Sequence, residues 1–385
     1  RGPVVVFPEP TESFVTQGNA DPEGEGTSSP RKFRALELNS NSGVHVKVIA
    51  DYVEDGEEHH TGDELFITGA EQPIYYPRPE HAIVRYGDRT IHYAVVVPEG
   101  EARYVLNKER GSVDLEIGPT MLLPDPRTEV IVRRVLDQAT VDLWFPESRR
   151  AHEHNQALAR IAAERGVGAY VSSMDVERSM HFGGREERSA AVSAGLVSEE
   201  FKRGTTFTAP RTVTLDTKYD GAVAIDVWTG YAILVVDKAG HRRVVKGPET
   251  VLLNYDEQLM AFELSTGTPK TDAKLLRTVY LRVLNNRVSD VVGVETSDLC
   301  NVSIRLSYRV NFEGDQPERW FAVENYIRFL TEHLRSVIRN EARRHGIENF
   351  YGDAINIIRN AVLGEAKDGV KRPGKAFAEN GMLVY

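Results

Sequence analysis

Gly118-Pro119-Thr120-Met121-Leu122-Leu123-Pro124-Asp125-Pro126 reads as a short strand held between two stops. Glycine admits φ > 0, while the proline after it fixes φ and removes a donor, so Gly118-Pro119 ends one ladder and turns the chain into the next. Pro124 and Pro126 repeat the interruption a few residues later. Working outward, the same order of signals recurs three more times. Gly2-Pro3 leads through Val4-Val5-Val6-Phe7 to Pro8-Glu9-Pro10, and Gly69-Ala70 leads to Tyr76-Pro77-Arg78-Pro79. Gly247-Pro248 leads through Glu249-Thr250-Val251-Leu252-Leu253 to Asn254-Tyr255-Asp256-Glu257, without the second proline pair. Self-similarity on a scale of roughly 50 to 65 residues points to modules in series before a single globular fold.

Within the modules, period-two apolar runs meet turn residues. Val223, Ile225 and Val227 lead into Trp228-Thr229-Gly230, and Tyr231, Ile233 and Val235 lead into Lys238-Ala239-Gly240. This spacing predicts hairpins at both turns. Ala94-Val95-Val96-Val97 through Glu109-Arg110-Gly111 to Val113, Leu115 and Ile117 follows the same order and arrives at Gly118-Pro119.

Two stretches depart from the pattern. Residues 17–32 contain no large apolar side chain and are expected to form a mobile loop. Residues 147–204 open with a helical pattern from about Ala151 to Glu164, then run through Gly- and Ser-rich sequence, and read as a linker with a short helix. From about residue 270 the character changes again. Val302, Ile304, Leu306, Tyr308, Val310 and Phe312 alternate with polar residues, which predicts a long half-buried strand. After Pro317 the apolar spacing becomes helical. Trp320, Val323, Ile327, Leu330, Leu334 and Val337 recur at three and four, giving one amphipathic helix to His345 whose apolar face serves packing or assembly. Gly346 is read as its stop, and a second helix is expected from about Asp353 to Leu363. The expected fold class is a mainly β tandem repeat array followed by an α+β domain. Its expected divisions are a module at 1–60, modules at 61–146, the linker at 147–204, a last module at 205–268 and the α+β domain at 269–385.

Composition narrows the function. Lys and Arg total 47 against 57 Asp and Glu, a net charge of −10 that repels phosphate backbones, so no direct nucleic-acid binding is expected. The single cysteine, Cys300, closes no intrachain disulfide and fits a reducing compartment, with cytoplasm as the default. No run in the sequence approaches the ~20 apolar residues of a membrane span. The chain opens at Arg1 inside a strand-like run, without an initiator Met, and reads as part of a longer polypeptide.

Candidate chemistry is sparse. Glu57-Glu58-His59-His60 and His152-Glu153-His154 have metal-ligand residue types. Adjacent histidines in a polar loop, or histidines two apart on a helix, do not converge on one ion, and solvated histidines are the better reading. Cys300 has no base beside it in the sequence. No phosphate-binding glycine signature and no Gly-x-Ser-x-Gly elbow occurs, so neither an enzyme nor a cofactor is expected.

Several stretches carry a resemblance. Phe207-Thr208-Ala209-Pro210, Lys246-Gly247-Pro248-Glu249, Tyr255-Asp256-Glu257-Gln258 and Leu264-Ser265-Thr266-Gly267-Thr268-Pro269-Lys270 are similar to the last β repeat of the major vault protein family and its exit. Val294-Glu295-Thr296-Ser297-Asp298, Asn360-Ala361-Val362-Leu363-Gly364 and Phe377-Ala378-Glu379-Asn380-Gly381-Met382 resemble that family's shoulder, which belongs to the stomatin, prohibitin and flotillin domain class. The resemblance covers about residues 205–385 closely and 1–145 more loosely. It implies a structural subunit of a hollow vault-like shell, ribonucleoprotein-type or protein-only, in which many copies of the chain stand side by side and enclose cargo proteins. A membrane-associated scaffold of the flotillin or stomatin type is the second reading, disfavoured by the Gly-Pro array. An enzyme with an unfamiliar site in residues 147–204 is the third.

Overall fold

The structure, a computed structural model, describes residues 35–54, 56–86, 89–164, 221–365 and 372–385. The expected first Gly-Pro element (Gly2, Pro3, Pro8, Pro10), the loop at 17–32 and most of the 147–204 stretch lie outside the described residues. The chain divides into two units, the first ending at Val132 and the second beginning at Arg133.

The first unit holds two β modules. In the first, β1 (Leu36–Glu37), β2 (Ser42–Val48), β3 (Tyr52–Glu54), β4 (Glu57–His59), β5 (Glu64–Thr68), β6 (Ile74–Tyr75), β7 (His81–Ile83) and β8 (Ile91–Tyr93) follow in order. β2 is central: β5 pairs along one edge, and β7 and β8 share the other. Its Val44, Val46 and Val48, two apart and therefore on one face of the strand, are buried. β3 and β4 extend the β2–β5 hairpin. The expected division at residue 60 therefore falls inside this hairpin. The second module comprises β9 (Val95–Val97), β10 (Ala102–Asn107), β11 (Val113–Ile117), β12 (Thr120–Leu122) and β13 (Glu129–Val132), with β10 central between β11 and β13.

The second unit opens with two helices, α1 (Gln138–Trp144) and α2 (Arg149–Glu164). Asp137 caps α1 by accepting from the Thr140 N–H. α2 is no free-standing linker helix, since Ala151, His154, Asn155 and Leu158 are buried. Asn155 grips Leu136 from both sides: its Oδ1 accepts from the Leu136 N–H (2.8 Å) and its Nδ2 donates to the Leu136 carbonyl (2.7 Å).

A third module follows: β14 (Ala224–Val227), β15 (Tyr231–Val236), β16 (Arg242–Lys246), β17 (Glu249–Leu252), β18 (Gln258–Leu259), the hairpin β19 (Phe262–Ser265) and β20 (Leu275–Thr278), and β21 (Leu281–Arg282). β15 is central, bordered by β16, β18 and β21. Because β21 closes this module, the expected division at residue 268 falls within it. Trp144 of α1 enters the core formed by Ile225, Ile233, Val235 and Leu253, and the Tyr280 hydroxyl donates to the Trp144 carbonyl at 2.6 Å.

The chain ends in a two-layer α+β domain. Its sheet runs in the order β22 (Asn286–Glu295), β23 (Asn301–Phe312), β25 (Met382–Val384), β24 (Lys375–Phe377). Helices α3 (Tyr326–Ala342) and α4 (Ile347–Leu363) contribute to the core on one side. The predicted long alternating strand is β23. The single helix expected from Pro317 to His345 is instead a 3-10 turn, Pro317–Phe321, followed by α3, because Asn325 caps the second segment. Its Oδ1 accepts from the N–H groups of Arg328 (3.0 Å) and Ser265 (3.2 Å), and its Nδ2 donates to Ser265 Oγ (2.9 Å). Asn325→Ala should therefore cost about 1–2 kcal/mol in urea unfolding of this unit; an unchanged midpoint would show that the cap contributes nothing.

Gly346 opens α4 rather than closing the preceding helix, and α4 begins six residues before the expected Asp353. Asp353 itself, at φ −135°, kinks it.

Candidate assembly surfaces

All three modules share one joint, and the singled-out glycines sit at it. In each, an outer strand pair continues an inner one: β1 with β6, β9 with β12 and β14 with β17 lie beyond β2 with β5, β10 with β11 and β15 with β16. Each module is thus one long hairpin broken at the same level on both arms. This corrects the expected hairpin at Trp228-Thr229-Gly230: β14 and β15 run on from one another and do not pair.

On the first arm, the N–H groups of Ser42, Glu101 and Tyr231 donate back to the carbonyls of Asn39 (2.9 Å), Pro98 (3.2 Å) and Trp228 (3.0 Å). On the second arm, the N–H groups of Gly69, Gly118 and Gly247 donate to the carbonyls of Ser42 (2.8 Å), Glu101 (2.9 Å) and Tyr231 (2.9 Å). The glycine backbone then lies directly on the first arm. A Cβ at Gly69, Gly118 or Gly247 would stand 2.0 Å from the carbonyl oxygen of Asn39, Pro98 or Trp228 respectively. The prolines after Gly118 and Gly247, Pro119 and Pro248, follow cis peptide bonds.

Pro77 and Pro79, and likewise Pro124 and Pro126, flank the residue whose carbonyl closes the next turn. Arg78 accepts from the His81 N–H (3.2 Å) and Asp125 from the Thr128 N–H (3.1 Å). In the third module Asn254 takes that place, accepting from the Glu257 N–H (3.2 Å). Glu257 supplies what the prolines do elsewhere: its carboxylate accepts from the Asn254 N–H (2.8 Å) and from Arg243 (2.9 and 3.0 Å).

The apolar face expected between Pro317 and His345 is turned inward. Trp320, Ile327, Leu330 and Leu334 are buried against Val288, Val292, Val310 and Phe312, while Val337 and Val323 are half-buried and Ile338 completes the face. Ile338, four residues after Leu334, is the buried position where the sequence reading placed Val337. A buried ion pair fixes α3 to the sheet. Arg335 donates to both Asp290 oxygens (2.8 Å each), and Asp290, 1% exposed, also accepts from the Lys270 N–H at 3.0 Å.

Groups with reactive chemistry are dispersed. Among the described residues no three His, Cys, Asp or Glu side chains come together as a ligand set. His59 stacks on Tyr52 (4.6 Å), His154 is buried in α2, and His152 stands 2.9 Å from Gln138. Cys300 is half-buried in the turn before β23. No helix among the described residues is long and apolar enough to cross a membrane.

Titratable groups in the first module are structural. His81 lies between the hydroxyls of Tyr75 (3.0 Å from Nδ1) and Tyr52 (2.7 Å from Nε2). His45 lies 2.9 Å from the Tyr86 hydroxyl and 3.3 Å from Glu64. Burial lowers the pKa of both histidines, opposed at His45 by Glu64 and reinforced at His81 by Arg78, and burial pushes Tyr75 up to about 12. With the folded histidine values below the unfolded value of about 6.5, the unfolded chain takes up protons first on acidification. Stability should be level above about pH 6.5 and fall below it. Thermal unfolding followed at tyrosine from pH 7.5 to about 5.5 tests this, and a midpoint that does not fall refutes it.

These features define a chain of tandem β modules followed by an α+β domain. Residues 284–385 match the shoulder-domain model of the major vault protein. The chain is 32% identical over 144 residues to major vault protein beta of Dictyostelium discoideum, covering 37% of this chain and 17% of that one. It is 25% identical over 346 residues to the major vault protein of Gallus gallus (88% of this chain, 34% of that one), and 31% over 145 residues to that of Leishmania major (37% and 17%). Over these residues the chain is similar to the major vault protein family. It spans about a third or less of the length of these relatives.

Proposed function

We propose that the chain is a self-assembling subunit of a large hollow shell, in which many copies stand side by side and enclose cargo in the cytoplasm. The observation that carries this reading is the joint repeated at Gly69, Gly118 and Gly247 in a chain whose last hundred residues match a vault shoulder. Modules of this kind leave strand edges open, as at β11 and β16, each paired on one side only among the described residues. Open edges are covered most economically by a neighbouring copy, and several weak module contacts on one chain add through effective concentration. A heterologous contact closes into a ring when the rotation per copy divides the circle, and otherwise runs on as a filament. The shoulder, with helices on one side of an antiparallel sheet, is read as a stomatin, prohibitin and flotillin-class domain, and the Gly-Pro joints as the elements that set the pitch of the wall.

Negative-stain electron microscopy of the purified chain tests the proposal. Rings or barrels are the expected result. Monodisperse monomers at high concentration would overturn it, and flotation with liposomes would then favour the membrane scaffold.

A further inference from the structure

The outer face of the shoulder sheet gathers arginines without acids. Strand alternation puts Arg287, Ser289 and Val291 of β22 on the face opposite buried Val288, Asp290 and Val292, and the register sets them against Arg309, Ser307 and Arg305 of β23. Arg287, Arg305, Ser307 and Arg309 are exposed. Arg287 and Arg309 stand directly opposite one another, where like charges destabilise a sheet. Among the described residues no carboxylate pairs with any of these three arginines. On α3, by contrast, Arg328 pairs with Asp272 (2.6 Å) and Glu332 (2.9 Å), and Arg335 with Asp290 (2.8 Å).

The acids of that face lie at its two ends. Glu295 stands opposite Asn301 at the last position of β22, and Glu313, one residue past β23, accepts from Asn311 Nδ2 at 3.4 Å. Between them the face offers donors. Arg287 uses its Nε–H on Ser307 Oγ at 3.0 Å, and its terminal nitrogens make no bond among the described residues. Ser307 lies two residues, about 7 Å, from both Arg305 and Arg309 along β23 and diagonal to Arg287, so three arginines surround one hydroxyl. The backbone beneath them is fixed. The ladder from Asn286 to Glu295 runs unbroken against β23, and the Tyr385 N–H donates to the Arg309 carbonyl at 3.0 Å. Charges carried on a rigid strand pair are already in place for a ligand, which then loses less free energy in ordering them.

The chemistry of the donors selects the ligand. Arginine presents a planar fork that matches phosphate oxygens, and charge-assisted bonds of this kind are the strong ones. A carboxylate brings two acceptor oxygens in one plane, whereas a phosphate directs its oxygens to several sides, as arginines on three sides of a hydroxyl require. We propose that this face binds a small phosphate-bearing molecule. One phosphate sits between Arg287 and Arg309 beside Ser307, and a second, toward Arg305, is reached by a diphosphate. The bound anion relieves the like-charge contact of the opposed arginines. The net charge of −10 repels a long polyanion approaching from a distance, but at contact a small anion is governed by the arginines around it. The site lies within one chain and does not depend on the shell reading.

Phosphorus NMR of pyrophosphate titrated with the 385-residue chain, at constant ionic strength and without divalent cations, is the test. Wild type should broaden the pyrophosphate line saturably; inorganic phosphate should compete, and acetate at the same ionic strength should not. Arg287→Gln and Arg309→Gln should each weaken binding about tenfold or more. Arg359→Gln, at an exposed arginine on α4, should leave it unchanged. In chloride alone Arg309→Gln should melt no lower than wild type, because it removes a like-charge contact, so its lost binding is not lost fold. Arg305→Gln, opposite Val291, repeats the test where no side-chain bond is broken. No saturable broadening by wild type, equal competition by acetate, or a loss in Arg359→Gln as large as in Arg309→Gln would each overturn the proposal. So would binding that survives all three changes on the sheet face.

Discussion

Gly247→Ala should unfold the third module or cost it more than about 3 kcal/mol, well beyond the usual penalty of a surface substitution. The added Cβ would stand 2.0 Å from the Trp228 carbonyl oxygen and 2.4 Å from its carbon, and both are main-chain atoms that cannot swing aside. Relief requires separating the two arms of the hairpin. That would break the Gly247 N–H to Tyr231 carbonyl bond (2.9 Å) and loosen Val227 and Val251, which are buried in the module core. Two control glycines make the cause legible. Gly293→Ala meets no atom within 4 Å and carries no positive φ, so it should be near neutral. Gly240→Ala also has open space but sits at φ +88°, so it should cost about 1 kcal/mol through backbone strain alone. Urea unfolding followed by tryptophan fluorescence ranks the three, with Trp228 as a reporter at the joint. A Gly247→Ala chain no less stable than Gly240→Ala would refute the close-approach argument. Equivalent changes at Gly69 and Gly118 should match it in the first unit, because the same oxygen stands 2.0 Å away there.

The second large effect is expected at Arg335. Removing this side chain takes the guanidinium from the buried Asp290 carboxylate and leaves it the Lys270 N–H, and breaking such a pair typically costs about 3–5 kcal/mol. Arg335 also donates to the Lys270 carbonyl at 2.8 Å, so its loss leaves Arg328, paired with Asp272 at 2.6 Å, to hold the segment between β19 and β20 to α3. Arg335→Ala should therefore lower the shoulder's unfolding midpoint severely. Asp290→Asn with Arg335→Met should recover most of the loss, because the desolvated charge is gone and an apolar side chain fills the space. A double variant as unstable as Arg335→Ala would mean that the hydrogen-bonded geometry matters here, not the uncompensated charge. The exposed pair of Arg328 with Glu332 offers the contrast, since an i,i+4 pair in water contributes only about 0.3–0.5 kcal/mol.

Much of the architecture was legible because it rests on residues whose meaning is local. The Gly-Pro and Pro-x-Pro signals marked the breaks and turns of the modules, and the alternation from Val302 to Phe312 gave β23 directly. α1 was not legible, because seven residues carry too short a period to read. Nor was the broken start of α3: Asn325 looks like any polar surface residue until its bonds to Ser265, sixty positions away, are seen. The turn at Trp228-Thr229-Gly230 carried the right residue types for a hairpin. A reversal and a bend between collinear strands use the same chemistry, and the pairing partner distinguishes them.

The sequence by itself determined that this protein is a series of β modules followed by an α+β domain of the vault shoulder type, with no catalytic constellation in its motifs. Glycine, proline and hydrophobic period act within a few residues and need no partner to be read. Only the tertiary structure decided which strands pair across each joint, why glycine is required there, and that Asp290 is buried under Arg335. It also decided that the apolar face of α3 lies inside the chain while Leu299, Tyr351 and Ile355 remain outside. Those outcomes depend on atoms brought together from distant positions, where close approach and desolvation act between groups that no local pattern relates.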